Sequence, residues 1–167
     1  TARFWPSSPC NGYVDSGAGW RDDTRGDYHH WFGFDSGKSI FNTYRAPSPR
    51  FCSEYGFQSF PEMKTVRRFA SPDHFNLTSP QLEAHQKCVN GNVKRILEPM
   101  TMYFRMPTTF EKTIYASQLL QALMLKVPTE YWRTRRPRCM GAIYWQLNDN
   151  WPVASWASID YFGNWKQ

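Results

Sequence analysis

Apolar and polar positions change period several times along the chain. Residues 2–5 read as a short strand, ended by Pro6 and the Ser7-Ser8-Pro9 turn. A Gly/Asp-rich loop follows from Asn11 to Gly26, and residues 28–32 (Tyr28-His29-His30-Trp31-Phe32) form a second strand. A third strand spans 50–55 between Pro49 and Gly56, and a fourth spans 140–147. Strict alternation puts His29 and Trp31 on one face of the second strand, with His30 and Phe32 on the other. In the third it groups Arg50, Cys52 and Glu54 against Phe51, Ser53 and Tyr55. The long interval between the third and fourth strands carries helical periodicity. Thr108 and Glu111 have capping-box spacing, and Phe110, Ile114, Leu119, Leu120, Leu123, Met124 and Val127 give a broad apolar face up to Pro128, which should kink or end the helix. A shorter helix is predicted from Pro80 to about Val89, capped by Ser79 and stopped at Asn90-Gly91. Residues 62–76 and 96–107 read as loops.

Strands interleaved with helices define an α/β chain, and four strands are half of a (β/α)8 barrel, which in full needs about 250 residues. The chain has 167. Glu54 therefore matters: a carboxylate on the last inward position of a strand, just before a turn, stands where such barrels keep catalytic groups. Both ends read as cut, so residues 1–167 are expected to be a fragment of one catalytic domain, with an open strand edge that favours aggregation of the isolated piece.

Composition narrows the partners. Eight tryptophans and 17% aromatic residues exceed what a core of this size needs, and flat rings suit the apolar faces of sugars. The net charge of +6 is concentrated at Arg133, Arg135, Arg136 and Arg138 without a nucleic-acid-binding motif, so it reads as a solvated helix end. No stretch approaches the ~20 apolar residues of a membrane span. The four cysteines lack metal-ligand spacing, and Cys52 and Cys139 read as buried thiols in neighbouring strands. His29 and His30 cannot share a metal from a regular strand. Neither metal nor cofactor is expected. Asn76-Leu77-Thr78 has the glycosylation-acceptor pattern, which matters only in a secretory compartment.

Two segments carry a more specific signal: Arg50-Phe51-Cys52-Ser53-Glu54-Tyr55-Gly56-Phe57-Gln58-Ser59-Phe60-Pro61 and Met140-Gly141-Ala142-Ile143-Tyr144-Trp145-Gln146-Leu147-Asn148-Asp149-Asn150-Trp151. With Trp5-Pro6-Ser7-Ser8-Pro9, Gly26-Asp27-Tyr28-His29 and Ser155-Trp156-Ala157-Ser158, they resemble the β-mannosidases of glycoside hydrolase family two, in order and over nearly the whole chain. The match is weakest between residues 62 and 107. The resemblance implies strands five to eight of a TIM barrel, with an inserted helical segment between the last two. It implies a retaining exo-β-glycosidase that releases terminal β-mannose. The other expected partner is the rest of the same polypeptide, an N-terminal half barrel and accessory β domains. Related exo-β-glucosaminidases and β-galactosidases, or a non-catalytic carbohydrate-binding module, are the alternatives. The compartment stays open: lysosomal in a eukaryote, cytoplasmic or periplasmic in a bacterium.

Retaining chemistry needs two carboxylates about 5–5.5 Å apart. The resemblance makes Glu54 the nucleophile. The family's acid/base glutamate follows an asparagine at the end of strand four, and no Asn-Glu pair occurs in this chain, so isolated residues 1–167 are expected to be inactive. The resemblance makes Trp145 the platform under the terminal sugar, followed in such barrels by a non-proline cis peptide. His29 is implied to contact substrate or orient Glu54, with a core role as the alternative. Trp31 and His30 complete this side of the site, His30 standing where the family commonly has Tyr or Phe. Asn148 and Asp149 are expected either to bind sugar hydroxyls or to cap their turn.

Overall fold

The computed structural model describes residues 4–5, 7–10, 22–31 and 39–167. Half of the predicted first strand, most of the Gly/Asp-rich loop and Phe32 lie outside these residues. The chain divides into two compact units, residues 1–56 with 124–144 and residues 57–123 with 145–167.

In the first unit, strand β1 (Tyr28–His30) pairs in parallel with β2 (Cys52–Tyr55). The predicted strand 140–147 is reduced to one parallel bridge, Cys52 to Ala142. Three backbone bonds support it: Met140 N to Arg50 O, Cys52 N to Gly141 O, and Ile143 N to Cys52 O. Beyond Ile143 the chain leaves the ladder for a turn, and a strand cannot outlast its hydrogen-bond partners. Gly141 is required here, because a Cβ would collide with the Phe51 ring. Helix α1 (Ile40–Arg45) buries Ile40 and Tyr44. Around Tyr44 the rings of His30 and Trp132 meet at 4.9 and 6.2 Å, and Tyr55 meets Trp132 edge-on at 5.0 Å.

The second unit is built on Phe60, Val66, Ala70, Leu82, Ile96, Ile114 and Ala154. Residues 62–76 and 96–107, expected as loops, contain short helices: α2 (Met63–Val66), a 3-10 turn (Pro72–His74), and a π-helical turn (Asn92–Leu97) running into α4 (Glu98–Tyr103). Each is shorter than two full helical turns of amphipathic pattern, so periodicity had too little length in which to show. Helix α3 (Pro80–Ala84) starts at the Ser79 cap as expected but stops well before Val89.

Helix α5 (Phe110–Thr134) departs from expectation at both ends. Its cap is Thr109, whose hydroxyl accepts from Lys112 N at 3.3 Å. Glu111 pairs instead with Arg67 at 2.6 Å. Pro128 lies inside the helix and does not end it. A mid-helix proline costs about 3 kcal/mol. Met124 and Trp132, on either side of it, are 0% and 1% exposed. Burying an indole of roughly 150–250 Å² returns about 4 kcal/mol at ~25 cal/mol/Å², enough to carry the helix through.

The arginine run is only partly a solvated helix end. Arg138 donates to Ser48 O at 3.0 Å and Asp23 O at 3.2 Å, fastening two loops of the first unit.

Candidate active site

Glu54 reaches its position through an irregularity that alternation does not predict. Tyr28 pairs with Cys52, yet His29 pairs with Glu54, so Ser53 is an extra residue bulged out of β2. Strict alternation would have set Cys52 and Glu54 on one face. Instead Cys52 and Tyr55 are buried, while Ser53 and Glu54 both turn toward the same polar cluster. Burial pushes the Cys52 thiol far up, so it stays protonated.

Two expected residues meet Glu54. The Trp31 indole N–H donates to Glu54 Oε1 at 2.9 Å, and His29 Nδ1 lies 3.6 Å from the same oxygen. Glu54 and His29 remain partly accessible, at 25% and 12% of their side-chain surfaces. His30 goes the other way. It is buried, its Nδ1 is 2.9 Å from the Tyr28 hydroxyl, and its ring packs among Tyr44 and Trp132. In this arrangement His30 belongs to the aromatic core, as alternation from His29 requires.

Behind His29 stands a group that sequence reasoning left without a role. Asp27 Oδ1 accepts from Cys10 N at 2.7 Å and Trp5 Nε1 at 3.1 Å, and Oδ2 accepts from Ser8 Oγ at 2.6 Å and Ser53 Oγ at 2.5 Å. Burial pulls the Asp27 carboxyl up, but the donors from Ser53, Ser8, Cys10 and Trp5 outweigh it and hold the group below its ordinary value. Ser8 Oγ is also 3.0 Å from His29 Nε2. The signal was present in the Trp-Pro-Ser-Ser-Pro and Gly-Asp-Tyr-His segments, which no single-residue chemistry explained.

The second unit holds the other expected residues. Trp145 is 45% exposed, and the Trp145–Gln146 peptide is cis. Together with Lys87, residues 145–150 line an open depression. Asn148 is exposed there. Asp149 is not. Its side chain is fully buried, paired with Lys87 Nζ at 2.9 Å and accepting from Ser155 Oγ at 2.6 Å and Gln146 Nε2 at 3.3 Å. Of the two roles expected for Asp149, fastening the turn is the one this geometry performs.

The same unit hides a cation. Lys166 Nζ donates to Ser59 O and Ser155 O at 3.3 Å each. Burial lowers its pKa to about 8, against the opposing pull of Asp149 and Asp160. Nothing in the sequence distinguishes this lysine from a surface one. Among the described residues, no helix is long and apolar enough to cross a membrane.

No protein-family model matches the chain. It is 34% identical to the beta-mannosidase of Capra hircus over 184 aligned residues, which cover 99% of this chain and 20% of that protein. Against beta-mannosidase B of Emericella nidulans the identity is 33% over 167 residues, 97% of this chain and 19% of that one. The crystal structure of a beta-D-mannosidase from Dictyoglomus thermophilum superposes with a TM-score of 0.82 at 34% identity, covering 97% of this chain and 19% of the other. The chain thus spans about a fifth of the length of the relatives it matches. In sequence and in its mixed α/β backbone, the chain is similar to one stretch of these beta-mannosidases.

Proposed function

We propose that residues 1–167 form part of a retaining exo-β-mannosidase and supply its nucleophile, Glu54. The observation that carries the reading is the pair of nitrogen groups on Glu54 Oε1, from Trp31 and His29, in a chain with these relatives. With Oε1 held, Oε2 is the oxygen that attacks the anomeric carbon. The glycosyl ester that forms is hydrolysed by water in a second step, and configuration is retained. The proton for the departing oxygen comes from a second carboxylate outside these residues, since no Asn-Glu pair lies within them. Trp145 stacks on the terminal sugar, and Asn148 hydrogen-bonds its hydroxyls. In the barrel so proposed, β1, β2 and the bridge at Ala142 belong to strands six, seven and eight, and the remaining strands and accessory domains belong to the longer polypeptide.

The test is Glu54→Gln in the complete polypeptide with an aryl β-mannoside. Gln keeps the shape but cannot form the ester, so kcat should fall on the order of 10⁴-fold with KM little changed. A near-normal kcat would remove Glu54 from the chemistry. Parallel assays on β-glucosaminide and β-galactoside substrates separate the mannosidase from its relatives.

A further inference from the structure

We propose that Asp27, acting through Ser8, is a positioning residue that fixes the tautomer of His29 and thereby decides whether the neutral ring turns a hydrogen or a lone pair toward Glu54. The argument is a count of protons. An ionised carboxylate only accepts, so the hydroxyls of Ser8 and Ser53, at 2.6 and 2.5 Å from Asp27 Oδ2, are both donors to it. Each serine has one hydroxyl hydrogen. The Ser8 hydrogen is spent on Asp27 at 2.6 Å, with Ser53 Oγ at 3.1 Å its other acceptor, so in either case Ser8 Oγ presents only lone pairs to His29 Nε2 at 3.0 Å. That contact is a hydrogen bond only if Nε2 carries the hydrogen and donates.

The other ring nitrogen inherits the consequence. Nδ1 faces Glu54 Oε1 at 3.6 Å. When His29 is an imidazolium, Nδ1–H points at the carboxylate as its ion-pair partner. When His29 is neutral with its hydrogen locked on Nε2, Nδ1 turns a lone pair toward Glu54, whose oxygen keeps the Trp31 donor. The titratable groups facing His29 among the described residues are Glu54 on β2 and, beyond Ser8, Asp27; the Cys52 thiol, raised by burial, stays neutral. Asp27 itself is held ionised by its four donors, which keeps the lock closed across the neutral range.

Asp27→Asn breaks this order without changing shape. An amide NH₂ at Oδ2 makes Ser8 an acceptor on that side, and frees its hydrogen to point at His29 Nε2. The neutral ring then carries its hydrogen on Nδ1 and turns it toward Glu54, as the imidazolium does. The experiment is ¹⁵N NMR of the complete polypeptide labelled at histidine, with His29 identified by its loss in His29→Gln. Above the pH at which His29 becomes neutral, the wild type should show the Nε2–H tautomer, Asp27→Asn should show Nδ1–H, and Ser8→Ala should show a mixture. A wild-type Nδ1–H tautomer would overturn the proposal, with no variant needed.

The kinetic arm rests on the reading of Glu54 as nucleophile. There the wild-type kcat/KM should fall about fivefold on the alkaline side as a lone pair replaces the N–H facing Glu54, and this step should be missing in Asp27→Asn. An alkaline step unchanged in Asp27→Asn overturns the coupling. If Glu54→Gln leaves turnover intact, the proposed function fails, while the tautomer measurement still decides the proton order.

Discussion

Replacing Gln121 by Leu should loosen the segment that carries Trp145. Gln121 is 2% exposed, and its amide donates to Phe57 O at 2.8 Å, Trp156 O at 2.9 Å and Ala157 O at 3.2 Å, while its oxygen accepts from Ser59 Oγ at 2.6 Å. Trp156 O also receives Gln146 N, and Ser158 N returns to Gln146 O. The amide therefore holds the same stretch of chain to which the cis peptide is tied. Leu fills nearly the same volume but leaves the carbonyls of Phe57 and Ala157 without this donor. Each such loss costs about 1–3 kcal/mol. Ser59 can turn to Phe60 O, already 3.3 Å away, so its loss is small. The added apolar burial returns about 1 kcal/mol, leaving a net loss of about 3 kcal/mol. In a long multidomain polypeptide a single melting temperature is poorly defined, so the assay is hydrogen exchange at the amides of Gln146 and Ser158. Protection there should drop about a hundredfold. Gln121→Glu is the shape control: a carboxylate facing three carbonyls has its folded pKa raised, so its stability falls further as pH rises above about 4.3, whereas Gln121→Leu shows no such slope. Unchanged protection in Gln121→Leu, or identical pH behaviour in the two variants, would refute the reasoning.

Two further predictions concern the second unit. Trp145→Ala should lower kcat/KM toward the proposed substrate about thirtyfold, affecting both KM and kcat, because a stacked indole contributes about 2 kcal/mol and holds the distorted sugar; wild-type kinetics would remove Trp145 from the sugar site. Lys166 has its pKa lowered to about 8 when folded, so between pH about 8 and 10.4 the unfolded chain binds more protons and stability must rise with pH. The penalty of burying the cation is fully present below that window, about 3 kcal/mol, and gone above it. The difference in denaturant midpoint between wild type and Lys166→Met should therefore shrink steadily from pH 7 to 10, and a constant difference would show that the ammonium is solvated.

What the sequence could reveal tracks how local each cause is. Alternation over Tyr28–His30 correctly separated His29 from His30, because a short paired strand obeys its own period. The same rule misplaced Cys52 against Glu54, since the bulge at Ser53 is set by pairing with another strand. Pro128 is expected to kink or end its helix because the offsetting burial of Trp132 is a tertiary term that no local pattern carries. Asp149 looked equally suited to sugar or turn until Lys87, sixty-odd positions away in sequence, was found beside it. Asp27 and Ser8 were conspicuous only as parts of longer matching segments. Their chemistry depends on a chain of hydrogen bonds linking residues 8, 27, 29 and 53, which no window of sequence contains.

The bulge at Ser53 also makes it the residue of β2 that strand pairing does not count. Tyr28 faces Cys52, His29 faces Glu54 and His30 faces Tyr55, so a strand without Ser53 would alternate without a break and keep Glu54 on the side of His29 and Trp31. What Ser53 contributes is its donor to Asp27. A residue inserted between Glu54 and Tyr55 would by contrast move one of them to the wrong face, so the strand should tolerate the loss of Ser53 far better than a gain beyond it.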